Sequence, residues 1–168
     1  MKKIIHSISS LFVLRWITLI FLKIFHIIDR IISHLKYNAL VKKTSNSVCH
    51  WSVEIKYGQN ISVGNDTSIG PNCCLGAKGG IEIGSFCRIS RGVIVETAGL
   101  NLKAKQPYPH TSKPIKIGNG VWIASNAIIL GGVIIGDNSI IGAGVVITKN
   151  VAEGSVVVGN GNRIINSN

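Results

Sequence analysis

Isoleucine recurs at every sixth residue in the C-terminal half of this chain. Ile117, Ile123, Ile129, Ile135, Ile141 and Ile147 stand on six successive steps. A second ladder precedes it, made of Trp51, Tyr57, Val63, Ile69, Leu75 and Ile81. A short third one, Ile83, Ile89 and Val95, is offset from the second by two residues. A period of six fits neither the 3.6 of an α-helix nor the strict alternation of a half-buried strand. It marks a solenoid in which each hexad forms one short strand and one face of a coil. The ladder residues should point inward and stack from coil to coil. The fold class this predicts is all-β, a parallel β-helix of hexapeptide repeats.

Other hexad positions agree. Gly follows many ladder residues, at Gly64, Gly70, Gly76, Gly84, Gly118, Gly136 and Gly142. Four residues after the ladder stand small or β-branched residues: Thr67, Cys73, Gly79, Cys87, Val121, Ala127, Val133, Ser139, Val145 and Val151. Each face then has one large and one small inward position, followed by a sharp corner. Gly and Asn tolerate positive φ at such corners, and this is the reading given to the abundant glycine.

Ahead of the coils the pattern changes. Residues 4–35 are almost continuously apolar, with the core run from Leu11 to Ile28. This predicts an apolar N-terminal α-helix, and the chain divides into a leader, 1–45, and a repeat domain, 46–168. At 100° per residue Arg15, Lys23, His26 and Arg30 fall within an arc of about 80°. Three readings compete. Arg15 and Lys23 interrupt a membrane span. A helix lying in the membrane interface would turn its basic arc toward anionic head groups. A packing helix would lie on the coils or on another subunit. No small-residue cleavage site of a secretory signal follows. The interfacial reading predicts peripheral contact with the inner face of the cytoplasmic membrane and a cytoplasmic repeat domain.

Charge sharpens this division. The formal net charge is +11, and residues 1–43 carry eight basic side chains against Asp29 alone. The basicity belongs mostly to the leader. No basic stripe interleaved with aromatics runs through the coils, which argues against nucleic acid as a partner. Cys49, Cys73, Cys74 and Cys87 lack zinc-ligand spacing and do not suit a simple disulfide framework. They read as reduced structural thiols.

Three segments resemble a known family. Pro114–Ile123 (PIKIGNGVWI), Ile134–Gly144 (IIGDNSIIGAG) with Val146–Asn150, and Val158–Ile165 (VGNGNRII) are similar to motifs of hexapeptide-repeat acyltransferases. The likeness is to galactoside, maltose and bacterial polysaccharide O-acetyltransferases. It implies a left-handed β-helix, a homotrimer with sites between subunits, and acetyl-CoA as co-substrate without a metal. By motif position it implies cofactor-binding roles for Ser125, Ala143, Thr148, Lys149 and Arg163. Lys149 and Arg163 suit coenzyme A phosphates, and Ser125 suits donation to a carbonyl oxygen on which charge develops. Trp122 is read as a wall of the acyl or acceptor pocket, or as packing.

The hexad period is lost between Gly99 and Pro114, over an excursion loop at 100–113. Function concentrates on loops carried by rigid scaffolds. Transfer of an acetyl group to a hydroxyl requires a base, and histidine titrates in the useful range. The family's catalytic histidine falls at about Leu100, which cannot accept a proton. His110, the only histidine in the excursion, is the candidate base; the alternative is a loop histidine that only binds substrate or stabilises the loop. His6, His26 and His34 lie in the leader, and His50 precedes the first coil.

The function expected is O-acetyl transfer from acetyl-CoA to a sugar hydroxyl of a surface polysaccharide or its lipid-linked precursor. Two rivals stand beside it. A zinc lyase of the same fold would need three histidine ligands near the coils, where only His50 and His110 lie. A catalytically inactive scaffold or binding protein would account for Leu100.

Overall fold

The computed structural model describes residues 2–41, 46–159 and 163–166, with side chains over 12–41 and 46–159. One helix, α1 (Lys2–Leu40), leads into a left-handed parallel β-helix. The coils have three faces. The first carries Ile61–Val63, Ile81–Ile83, Ile115–Ile117 and Ile134–Ile135. The second runs from Val48–Cys49 through Ser68–Ile69, Arg88–Ile89, Trp122–Ile123 and Ile140–Ile141 to Ser155–Val158. There Arg163–Asn166 folds back antiparallel on the last strand. The third face carries Glu54–Lys56, Cys74–Gly76, Ile94–Glu96, Ile128–Leu130 and Val146–Ile147.

The isoleucine ladder is the core. Ile123, Ile129, Ile141 and Ile147 are wholly buried, and Ile117 and Ile135 nearly so. Thr67, Cys73, Cys87, Val121, Ala127, Val133, Ser139, Val145 and Val151 fill the small inward positions. Gly79 is only half-buried. All four cysteines are free. Burial holds Cys73 and Cys87 in the neutral thiol form by raising their pKa. Burial, reinforced by Cys73, pushes Cys49 up to about 12.

The upstream ladder needs correction. Trp51 and Tyr57 are 44% and 50% exposed and do not stack inward. Register supplies the reason. Val63 pairs with Ile83, Ile83 with Ile117, and Ile117 with Ile135, giving coil steps of 20, 34 and 18 residues. The early coils carry two extra residues at the corner between the third and first faces. The inward series is Cys49, Ile55, Val63, and the six-residue phase slips by two between Ile55 and Val63. The same slip, between Leu75 and Ile83, produces the offset third ladder. Tyr57 stands at the first such corner with φ of 58°.

The glycines also divide. At the corner between the second and third faces, the left-handed residues are Asn72, Gly92, Asn126 and Gly144, with φ of 58–70°. Glycines that directly follow the ladder serve another purpose. A methyl on Gly84 would lie 2.6 Å from the carbonyl carbon of Gly118 in the next coil. Close approach between coils, rather than positive φ, excludes a side chain there.

The leader helix has two parts. Every described residue from Phe12 to Ile28 is exposed. Its C-terminal turns instead close the open end of the solenoid. Tyr37 and Val41 belong to the buried core. The Lys36 ammonium donates to the carbonyls of Trp51 (2.6 Å) and Val53 (2.7 Å). Ser33 Oγ accepts from the Trp51 amide at 2.9 Å. Asp29 lies 3.8 Å from His50 Nε2, and His50 Nδ1 is 2.8 Å from Ser52 Oγ. The first coil would otherwise leave these backbone groups without partners. The leader therefore packs on the coils through its end, while 12–28 does not pack on the coils of its own chain. Among the described residues no helix is long and apolar enough to cross a membrane.

Candidate active site

The excursion is a β-hairpin. Its strands, Ala98–Leu100 and His110–Ser112, pair antiparallel at the corner between the third and first faces. Buried Thr97 fixes its root. The Thr97 hydroxyl donates to the Gly76 carbonyl at 2.6 Å and accepts from the Gly79 amide at 2.9 Å. The Lys113 amide closes the hairpin on the Thr97 carbonyl at 3.0 Å.

The register places His110 directly opposite Leu100. Opposed residues of an antiparallel pair share one side of the ribbon. An imidazole on the returning strand therefore stands beside the position where the outgoing strand has leucine. His110 is exposed, and its ring makes no hydrogen bond to described residues of its own chain. It borders a cleft of about 400 Å³ with Lys56, Tyr57, Lys78 and Glu96.

The floor of that cleft follows from the third-face register. Lys56 pairs with Gly76 and Gly76 with Glu96. Gly76 has no side chain, so the Glu96 carboxylate folds over it, and a methyl there would collide with that carboxylate. Glu96 Oε1 accepts from the Ala98 amide at 2.8 Å. Lys56 is 3.0 Å from Glu54. That hydrogen bond holds the Glu54 carboxyl below its usual range and lifts the lysine. Sequence reasoning missed Lys56, Tyr57, Lys78 and Glu96. They converge only once the twenty-residue coil is known, because spacing in the chain hides the shared corner.

The other sequence-predicted residues separate onto two edges. Ser125 and Ala143 stack in successive coils at the corner between the second and third faces, where the Gly144 amide donates to the Ser125 carbonyl at 3.0 Å. Thr148 and Lys149 are exposed at the corner after the third face, on the same edge as the hairpin. A strand of three residues, Ile128–Leu130, separates the two edges, a span of about 10 Å. Within one chain His110 and Lys149 share an edge, and Ser125 and Ala143 do not join them. Lys149 has no carboxylate within ion-pair reach among the described residues, so its ammonium is available to an anion. Ala143 and Gly144 are exposed, leaving backbone open to a ligand. This edge chemistry fits a phosphate-bearing co-substrate. The Arg163 side chain lies outside the described residues. Trp122 is half-exposed on the second face, with Nε1 3.3 Å from Ser90 Oγ. His50 is tied to Asp29 and Ser52 at the helix junction, in a different part of the molecule from His110.

Comparison with known proteins agrees with this architecture. Residues 114–149 match the model of the bacterial transferase hexapeptide (six repeats). Residues 60–97 match the hexapeptide repeat of succinyl-transferase. A hexapeptide-repeat-containing acetyltransferase from Vibrio cholerae is 27% identical, with a TM-score of 0.78 over 83% of this chain and 81% of that one. The same enzyme has been solved with acetyl coenzyme A. A maltose O-acetyltransferase from Clostridium difficile is 31% identical, with a TM-score of 0.70 over 77% of this chain and 71% of that one. A galactoside acetyltransferase in complex with coenzyme A is 33% identical, with a TM-score of 0.66 over 73% of this chain and 62% of that one. The chain belongs to the hexapeptide-repeat acetyltransferases. It is an acyltransferase, and acetyl-CoA is the co-substrate that marks the class.

Proposed function

We propose that this enzyme moves an acetyl group from acetyl-CoA to a sugar hydroxyl of a surface polysaccharide or its lipid-linked precursor. The observation that carries the reading is the pairing of His110 with Leu100: it sets an imidazole with no hydrogen bond among the described residues opposite the position at which the resemblance implies the base. The names of the maltose and galactoside relatives support a sugar acceptor.

His110 accepts the proton of the acceptor hydroxyl as its oxygen attacks the thioester carbonyl. The Ser125 hydroxyl donates to the carbonyl oxygen as negative charge gathers there. The thiol leaves with the proton returned by the imidazolium. Thr148 and Lys149 hold the donor's polar end, and Arg163 joins them by its place in the motif. His110 and Ser125 stand on different edges of one chain, so the site requires a second copy. A homotrimer, with the hairpin of one protomer facing the Ser125 edge of the next, satisfies that requirement. The exposed apolar stretch 12–28 supports peripheral binding to the inner face of the cytoplasmic membrane, where lipid-linked acceptors reside. In this organisation the leader, 1–45, supplies the anchor with its exposed part and caps the coils with its last turns, and 46–168 is the catalytic domain.

The test is acetyl transfer from labelled acetyl-CoA by wild type and His110→Ala. Loss of the base should lower the rate by about 10²–10⁴-fold with acetyl-CoA binding intact. Because Leu100 and His110 oppose one another, adding Leu100→His to His110→Ala should recover part of the rate. Wild-type turnover by His110→Ala would show that another group is the base.

A further inference from the structure

The edge that carries His110 gathers more lysines, on Lys78 and the hairpin, than O-acetyl transfer alone requires. We infer that its acceptor is an anionic glycan, carrying a carboxylate or phosphate that Lys78 and the hairpin lysines hold. The inference rests on the proposed sugar O-acetyltransferase reading and names the substrate class of the same site.

Lysines collect on one edge of the solenoid. Lys56 ends a third-face strand of the first coil, and Lys78 stands at the corner that follows the third face in the next. The hairpin at the same corner of the coil after that brings Lys103, Lys105 and Lys113, with no acidic residue between Thr97 and Lys113. Adjacent coils are about 4.8 Å apart, so Lys56, Lys78 and the hairpin root form a track along the solenoid axis, with Lys103 and Lys105 carried out on the hairpin turn and the Lys113 stem lying over Gly132 of the following coil. Two acids stand beside the track, and Glu96 is the carboxylate that lines the cleft itself. Glu54 pairs with Lys56, and Glu96 accepts the Ala98 amide. Among the described residues no carboxylate lies within ion-pair distance of Lys78, Lys103, Lys105 or Lys113. Lys78 is exposed and borders the cleft with His110. Lys78 and the hairpin lysines, outside ion-pair reach of a carboxylate among the described residues, repel one another, and an anion relieves that repulsion.

Position divides the track between two ligands. Lys149 lies on the C-terminal side of the hairpin, where the donor's polar end is placed. Lys56 and Lys78 lie on the N-terminal side, toward the first coil that α1 caps. The acceptor thus reaches His110 from the end of the solenoid that carries the leader, the direction from which a membrane-linked glycan would come. Tyr57, half-exposed at the same corner, offers a ring face to a sugar.

The experiment uses full-length protein in detergent and three oligosaccharides of one backbone: uronic-acid-containing, carboxyl-reduced, and carboxyl-reduced with a terminal phosphate. Calorimetry should show the uronic acid form binding about tenfold more tightly than the reduced form. That preference should shrink as ionic strength rises and fall in Lys78→Ala. Preference confined to the phosphorylated form would assign the anion to the acceptor's carrier linkage instead of its sugars. Equal affinity for all three, or full discrimination in both Lys78→Ala and Lys113→Ala, overturns the inference. Acetyl transfer measured alongside keeps the two readings apart. Equal acetylation of reduced and charged glycans overturns the anionic preference and leaves sugar O-acetylation standing. Tight, charge-selective binding without acetylation, despite bound acetyl-CoA, supports the anionic site and overturns sugar O-acetylation.

Discussion

Isoleucine is abundant in both the leader helix and the coils, yet apolar side chains are used there in opposite ways. In the solenoid Ile129 is completely buried, whereas Ile20 in α1 is 53% exposed and Phe21 66%. Apolar surface left in water is unfavourable by about 25 cal/mol per Å². A soluble monomer seldom displays a contiguous apolar patch as large as the one on 12–28. The coils close their own hydrophobic surface, and the leader leaves its surface to be covered by something else. The only charges on 12–28 are Arg15 and Lys23. Basic residues on an otherwise apolar helix suit an anionic interface. The difference separates hydrophobicity that folds the chain from hydrophobicity that places it.

The comparison is broken most directly by removing one region. Deleting residues 1–28 keeps Ser33, Lys36, Tyr37 and Val41, which cap the first coil. The shortened protein should keep its β-rich circular dichroism and cooperative melting. Its sedimentation with anionic liposomes should fall by about 10²-fold or more, since each large apolar side chain withdrawn from the interface forfeits about 1.5–3 kcal/mol. Unchanged sedimentation would show that the leader is not the anchor. Aggregation of the shortened protein would show that the cap requires more of the helix. A cut at residue 35 removes Ser33 as well and tests the cap and the anchor together.

A finer version exchanges single residues. Ile129→Ala should destabilise the fold by about 2–5 kcal/mol, because it opens a cavity in a ladder with no room to relax. Ile20→Ala should change stability by less than about 0.5 kcal/mol. Denaturant unfolding of both variants checks this. Equal losses would mean that 12–28 packs against protein after all.

What could be read in the sequence follows the same division. The ladder from Ile117 to Ile147 was legible because each hexad there repeats without insertion and each large apolar residue has one place to go. Trp51 and Tyr57 kept the period by coincidence, because a two-residue corner insertion changes the phase and leaves no mark in composition. The excursion at 100–113 was visible as lost periodicity. That it folds as a hairpin placing His110 opposite Leu100 was not, because register depends on how the 101–109 turn closes. The separation of Ser125 from His110 was likewise hidden, since motif positions carry no record of which edge of a coil they occupy. The leader's dual nature was half legible. Its apolar run and basic arc were plain, but the capping bonds of Ser33 and Lys36 depend on backbone groups of the first coil.

The smallest expected effect completes the comparison with an exposed residue on the coil. Lys149 stands exposed on a corner, free of ion pairs among the described residues. If exposure there serves binding, Lys149→Ala should leave the unfolding midpoint unchanged. It should weaken acetyl-CoA binding by about 10–100-fold, the effect of losing a charge-assisted contact of roughly 1.5–3 kcal/mol. Calorimetric titration at low salt checks the loss. Lys149→Arg should retain most of the affinity, because a cation remains in place. An unchanged dissociation constant for Lys149→Ala would make this lysine a solvated charge and move the phosphate-binding role toward Thr148 and Arg163. A lowered midpoint would instead show that the corner needs the lysine's aliphatic stem, and the loss of affinity would then report a disturbed coil.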